Sequence, residues 1–268
     1  KRQEWRGERE WVNAPVADEK AAPRGNPLRS LNFSGRFWVA LVLVVGVILL
    51  GLAGYVYPTG PGEKVASLYD PPGAGLPLGS DNFGHDVLAV LMAGTRTSLI
   101  IGLVAGIVAT VIGVIVGLVA GYIGGWFDEV ISRVTDIFFA VPMILGAIVV
   151  ATRVGEMSMW TVIVVLSIFG WTNVARIMRG AVISTKSQDY VTSSVALGAS
   201  SGTVLLKHVI PNAIAPVIVT ATVNLGVFIV AEATLSFLGI GLQPPAISWG
   251  LAISEASGIG FIRSAPHM

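Results

Sequence analysis

The sequence predicts an all-α protein, a polytopic bundle of membrane-spanning helices, and three observations predict it. Of its 268 residues 53% are hydrophobic and only 12% are charged, about half the charged share of a soluble domain. Several apolar runs reach the roughly 20 residues needed to cross about 30 Å of hydrocarbon. Most of the scarce charges fall in the segments between those runs. This excludes a large soluble core. The absence of cysteine excludes disulfides and thiolate metal sites and says nothing of compartment.

Taken in order, residues 1–36 form an expected N-terminal tail, charged, proline-containing and without periodicity. A surface helix around Trp5 and Trp11 is the alternative. The first span is expected over 37–57, with aromatic residues at both ends where amphipathic rings favour the interface. A long charged region precedes it and no small-residue cleavage site follows, so it reads as an uncleaved anchor. Residues 58–97 read as a polar loop rich in Pro, Gly and Asp, with a short helix at "HDVLAVLMAG". The second span, 98–122, carries Gly102 and Gly106, then Gly113, Gly117 and Gly121. Four-residue spacing puts each set on one helix face, where another helix can approach closely. The third span, 131–151, should be kinked at Pro142. A fourth is expected over 160–177 and a fifth over 213–233. The remainder is broken by Pro244 and Pro245 and shows no clean span.

Orientation follows from lysine and arginine. With the N-terminus cytoplasmic, thirteen positive residues fall inside (eight in the tail, then Arg133, Arg176, Arg179, Lys186 and Lys207) against four outside. The stretch between the fourth and fifth spans is therefore expected in the cytoplasm.

That stretch, "SQDYVTSSVALGASSGTVLLKHVIPNAIAP", has informative local chemistry. "DYVTSSVAL" suits a short helix with Val191 and Val195 one turn apart, and Gly198 supplies the left-handed stop that commonly ends one. Ser200 or Ser201 can cap a second helix, on which Leu205 and Val209 share one face and Val204 and His208 another. Pro211 closes the segment and can open the fifth span. The product is a helix–glycine–helix elbow with an apolar side, which a solvated loop would not need.

Here the residues resemble a known family. Permease subunits of ATP-binding-cassette importers carry Glu-Ala-Ala, three residues, Gly, nine residues, then Ile-x-Leu-Pro. This chain has Thr192-Ser193-Ser194, three residues, Gly198, nine residues, then His208-Val209-Ile210-Pro211. It is similar to the dipeptide/oligopeptide/nickel branch also in "LPLGSDNFGHDVL", "GTRTSLIIGLVAG", "GYIGGWFDEVISRVTDIFFAVP" and "EATLSFLGIGLQPPAISWG". The motifs cover residues 76–268 in the family's order. The chain departs from the pattern where Thr-Ser-Ser replaces Glu-Ala-Ala, removing a carboxylate, and where His85 replaces an arginine.

The resemblance implies a type I importer permease domain over 98–268, with five spans recognisable and a sixth expected but missing, so the chain is expected to be incomplete at its C-terminus. It also implies an inner-membrane location and four kinds of partner beside lipid. These are a second homologous permease, two ATPase subunits that hold ATP and Mg, and an extracytoplasmic substrate-binding protein. The elbow, within a coupling loop over 179–211, would sit on one ATPase. Thr192, Ser193, Ser194, Gly198, Ala199, Ser200, Ser201, Val204, Leu205 and Pro211 are the implied coupling residues. The cargo would be dipeptides or short oligopeptides, with nickel chelates or another small solute as the alternative.

Two carboxylates in or near spans, Asp136 and Glu232, are candidates for the translocation path, Glu232 near its outer mouth. Asp81, His85 and Asp86 could mimic a metal cluster, but they match a structural motif of the family, and no metal is expected. No Walker loop, Gly-x-Ser-x-Gly or His-Glu-x-x-His occurs, so no catalytic residue and no cofactor is assigned to this chain. The scattered positive residues give no nucleic-acid footprint. A secondary transporter, with repeats and midplane ion sites, is the rival from another class.

Overall fold

The computed structural model describes residues 34–73, 75–155 and 157–258. The expected tail over 1–33, with its surface helix, and the last ten residues lie outside them. The described residues are helical and contain no strand, only isolated bridges. Among the described residues four single helices are long and apolar enough to cross a membrane, and a bent pair makes a fifth such segment. The described residues up to Val45 and those from Gly46 onward form separate compact units.

α1, Gly35–Ala53, is apolar all round and stops four residues before the expected end. Tyr57 is outside the helix because its hydroxyl donates to Asp86 at 2.8 Å. α2, Val87–Ile123, is one unbroken helix of 37 residues. The short helix and second span expected separately are thus continuous, and the loop is shorter than 58–97. Polar residues at the expected boundary are satisfied within the helix. Thr95 Oγ1 donates to Leu91 O at 2.7 Å and Thr97 Oγ1 to Ala93 O at 3.2 Å, while the Arg96 guanidinium lies 4.6 Å from the Tyr55 ring centroid.

Gly124 (φ +71°) ends α2 and lets α3, Gly125–Ala140, turn back. Val141 before Pro142 is extended, as the proline ring requires of its predecessor. α4, Met143–Val154, leaves at 80° to α3. The expected kink is thus a full break between two short helices. α5, Met159–Lys186, is capped by Ser158 and runs nine residues past the expected end. Arg176 and Arg179 can stay helical because each pairs with an α3 aspartate.

α6 is Asp189–Ala196 and α7 is Ser201–Val204. A π-helical turn over Leu205–Val209 leads into α8, Ile210–Phe237. Ser201–Phe237 is therefore one helical rod of 37 residues, so Pro211 does not divide a short helix from the fifth span. The wider turn accommodates the proline, whose ring would collide with the carbonyl four residues back in a regular α-helix. The His208 carbonyl accepts from Asn212 Nδ2 at 2.6 Å. α9, Trp249–Ala256, is too short to cross a bilayer.

The glycine faces of α2 pack as expected, on two different helices. A Cβ on Gly106 would lie 3.6 Å from the Phe228 ring of α8. Cβ atoms on Gly113, Gly117 and Gly121 would meet Val174, Met178 and Val182 of α5 at 2.6, 2.9 and 2.9 Å. Both series rise together along the chain, so α2 and α5 run parallel and end at one pole of the bundle. α8 runs antiparallel to α2 and starts at that pole.

Candidate coupling and path sites

The elbow occupies the pole where α2 and α5 end. Gly198 N–H donates to Val195 O at 2.9 Å and Ala199 N–H to Ser194 O at 3.1 Å, the paired bonds of a Schellman stop. Gly198 holds φ +85°. Ser200 Oγ accepts from Thr203 N–H at 3.4 Å, so Ser200 and not Ser201 is the cap. The elbow is fastened from both sides. Tyr122 of α2 donates its hydroxyl to Ser201 O at 3.1 Å, and Lys186 Nζ donates to Tyr122 O at 2.7 Å.

Val191, Val204 and Val209 are buried with Val174, Met178 and Val182 of α5. Val204 and Val209, five residues apart, both face inward because the π turn adds a residue between them. Val204, expected as a contact for a partner, is buried in its own chain, and Leu205 is half-buried against the same cluster. The apolar side chains of the elbow presented most fully outward are Leu197, 89% exposed, and Leu206, 67% exposed, with Val195 and Tyr190 exposed to a smaller degree. Thr192, Ser193, Ser200, Ser201 and Pro211 are exposed, and Ser194 and Ala199 are half-buried. Ser194 Oγ lies 3.4 Å from His208 Nε2 and bridges the arms of the elbow. Neither Leu197 nor Leu206 is among the coupling residues that the resemblance implies; Leu197 sits beside the Gly198 bend and Leu206 within the π turn.

The two candidate carboxylates lie far apart in character. Glu232 is fully buried in its own chain. Its oxygens accept from Ser98 Oγ at 2.9 Å and Ser236 Oγ at 2.8 Å. Those hydroxyls in turn accept Trp249 N–H and Leu242 N–H at 3.2 and 3.1 Å. The network binds α2, α8 and the segment leading to α9, so the geometry gives Glu232 a clamp's role. Removing one partner of a buried hydrogen bond costs about 1–3 kcal/mol. Glu232→Ala should therefore lower the melting temperature of the purified protein, while Glu232→Gln, which keeps an acceptor, should stay close to wild type. Equal melting temperatures for all three would show that the network holds nothing together.

Asp136 is 61% exposed at its side chain and pairs with Arg176, 49% exposed, at 3.0 Å. Arg176 also lies 4.2 Å from the Phe139 ring centroid. Below it Arg179 binds Asp128 through two nitrogens, one at 2.7 Å. Arg176 and Arg179 entered the sequence reading only as positive charges that set orientation.

At the opposite pole the "GSDNFGHD" segment is a self-contained fold. Asp81 Oδ1 accepts the N–H groups of Phe83 and His85, each at 2.8 Å, and Oδ2 meets His85 Nδ1 at 2.9 Å. Asp86 caps α2 through Leu88 N–H at 2.9 Å and accepts from Tyr57 and Thr59. These carboxylates organise the loop and the helix start, with no group of three metal-ligating side chains among the described residues. Burial, reinforced by the Asp86 carboxylate, holds the Tyr57 phenol above its usual range. Burial likewise raises Glu255 of α9, with Asp81 adding to the effect.

Apolar spans closed by small-residue faces, with a glycine-stopped elbow at one pole, define a polytopic helical membrane protein. Residues 113–264 match the family described as binding-protein-dependent transport system inner membrane component. The chain belongs to that family. The oligopeptide transport system permease protein OppC of Bacillus subtilis (strain 168) is 36% identical over 222 residues, covering 81% of this chain and 72% of that protein. The glutathione transport system permease protein GsiD of Pectobacterium atrosepticum is 37% identical over 191 residues, 71% of this chain. GsiD of Shigella flexneri serotype 5b is 40% identical over 191 residues. The chain spans 62% of the length of each GsiD. In fold it is similar to a solved structure of the MetNI methionine ABC transporter, with a TM-score of 0.54 at 22% identity, over 64% of this chain and 82% of that one.

Proposed function

We propose that the chain is the permease subunit of an ATP-driven importer of dipeptides or short oligopeptides, coupled to ATPase subunits through the elbow at 187–211. A second permease completes the path, and an external binding protein delivers the cargo. The continuity of the elbow with α8 carries this reading. The second arm of the elbow and the last span are one rod from Ser201 to Phe237, so a push on the exposed Leu206 face displaces a span directly. The peptide cargo is supported by the oligopeptide and glutathione systems named among the relatives.

The elbow pole is cytoplasmic in this reading, on an excess of positive residues that stays eleven to four when Arg176 and Arg179, both within α5, are left out. Two measurements on sealed vesicles of the assembled complex test it. ATP-dependent uptake of a labelled dipeptide should vanish when the ATPase subunits are hydrolysis-dead, and persistent uptake would favour a secondary transporter. A cysteine placed at the exposed Ser184 should resist an impermeant thiol reagent added outside, whereas one at the exposed Ser67 in the loop after α1 should react. The reverse pattern would invert the topology.

A further inference from the structure

We infer that the α3–α5 face carrying Asp136, Arg176 and Asn173 is the wall of a water-filled path, not a lipid-facing surface; this rests on the permease reading. α5 has 28 residues, about 42 Å at 1.5 Å per residue. Arg176 lies ten residues before its end, about 15 Å along the axis and close to its middle. An ion pair at such depth with both side chains about half exposed cannot rest against hydrocarbon cheaply. Charged groups in spans face water or protein.

The pair belongs to a continuous polar lining. Asp128, Ser132, Thr135 and Asp136 recur on one face of α3, and Thr172, Arg176 and Arg179 recur at i, i+4 and i+7 on α5. Two cavities follow this lining. One of about 250 Å³ is bordered by Ser132, Thr135, Asp136, Arg176 and Arg179. The next, about 370 Å³ at the Pro142 break, is walled mainly by apolar side chains, Phe138, Phe139, Phe169 and Phe228 among them, and Thr172, Asn173 and Asn224 bring the polar row into it. The same chain shows what its lipid face looks like. On α2, Leu103, Ile107, Val111, Ile115 and Val119 recur every four residues, all exposed and all aliphatic. One protein thus presents two exposed faces of opposite chemistry, and only the aliphatic one suits lipid.

The chain has no cysteine, so single cysteines report on each face in the assembled complex in vesicles. Asn173→Cys and Phe139→Cys should react with a small charged methanethiosulfonate about tenfold faster than Ile107→Cys or Ile115→Cys, because hydrocarbon excludes charge. A lipophilic maleimide should reverse the order. If the first two cysteines behave like Ile107→Cys, the face lies in lipid and the inference fails. If neither reagent reaches them while the maleimide labels Ile107→Cys, a neighbouring subunit covers the face and the inference fails equally. ATP-dependent dipeptide uptake by the cysteine-free complex in the same vesicles is the separate control. Its loss would sink the permease reading and leave the labelling pattern to decide the face on its own.

Discussion

Gly198→Val should reach the membrane and assemble, yet lose at least about tenfold in both uptake and binding-protein-stimulated ATP hydrolysis, the loss expected from a site destabilised by about 1.4 kcal/mol or more. The cause is confined to the backbone. Gly198 holds φ +85°, and nothing lies within 4 Å of a Cβ placed there, so steric room is not in question. A β-branched residue at positive φ is a conformational outlier, whereas glycine enters that region freely. Valine must leave it, and the Schellman bonds of Gly198 and Ala199 would then break and redirect the arm that continues into α8. Alanine should cost about 1–2 kcal/mol at the same conformation. Asparagine, which tolerates the left-handed region, should retain most activity, and this separates backbone strain from loss of a small residue. No buried side chain is replaced and the change lies outside the spans, so the chain should still insert and assemble. Wild-type transport by Gly198→Val would make the elbow an ordinary loop and remove the coupling assignment.

Gly117→Leu should abolish the intact assembly. At this position an added Cβ would meet Met178 Cβ at 2.9 Å and Arg179 N at 3.0 Å, and would press closer still on the Ala175 carbonyl. Two of these neighbours are backbone atoms of a long helix and cannot step aside like a side-chain tip. Overpacking a well-filled core costs about 1–3 kcal/mol, occasionally more, and a leucine adds three further carbons beyond the Cβ. α2 and α5 would have to separate along the Gly113–Gly117–Gly121 seam. Gly46→Leu on α1, where nothing lies within 4 Å of an added Cβ, makes the same chemical change in open space and should leave the yield intact. Normal recovery of the Gly117→Leu complex in detergent would mean that the seam does not hold the two helices together.

How much of this was legible in the sequence depended on whether a signal was local. The glycine spacing of α2 announced two close-packing faces, and Gly198 announced a turn, because both are properties of a few neighbouring residues. Helix lengths were less legible. Composition stops a span at the first polar cluster, yet Thr95 and Thr97 bond to their own helix and Arg176 and Arg179 find aspartates 40 and 51 residues away. The Glu232 clamp was hidden for the same reason, since its partner Ser98 is 134 residues distant. The sequence shows the carboxylate in its apolar run, and only the fold shows the hydroxyls that donate to it. In Asp136 the sequence singled out half of an ion pair, and only the fold supplied Arg176.

The π turn before Pro211 bears on how the chain tolerates changes of length. A helix with one residue to spare can give that residue back without losing phase. Deleting Leu206 would bring Val204 and Val209 from five positions apart to four, and both would still point inward. The same deletion within α8, for instance at Val219, would rotate everything beyond it by about 100°. Phe228 and Glu232 would then swing off the faces they fill. A one-residue change of length in this region should therefore be borne best at the junction between elbow and span, where the helix already carries its own slack.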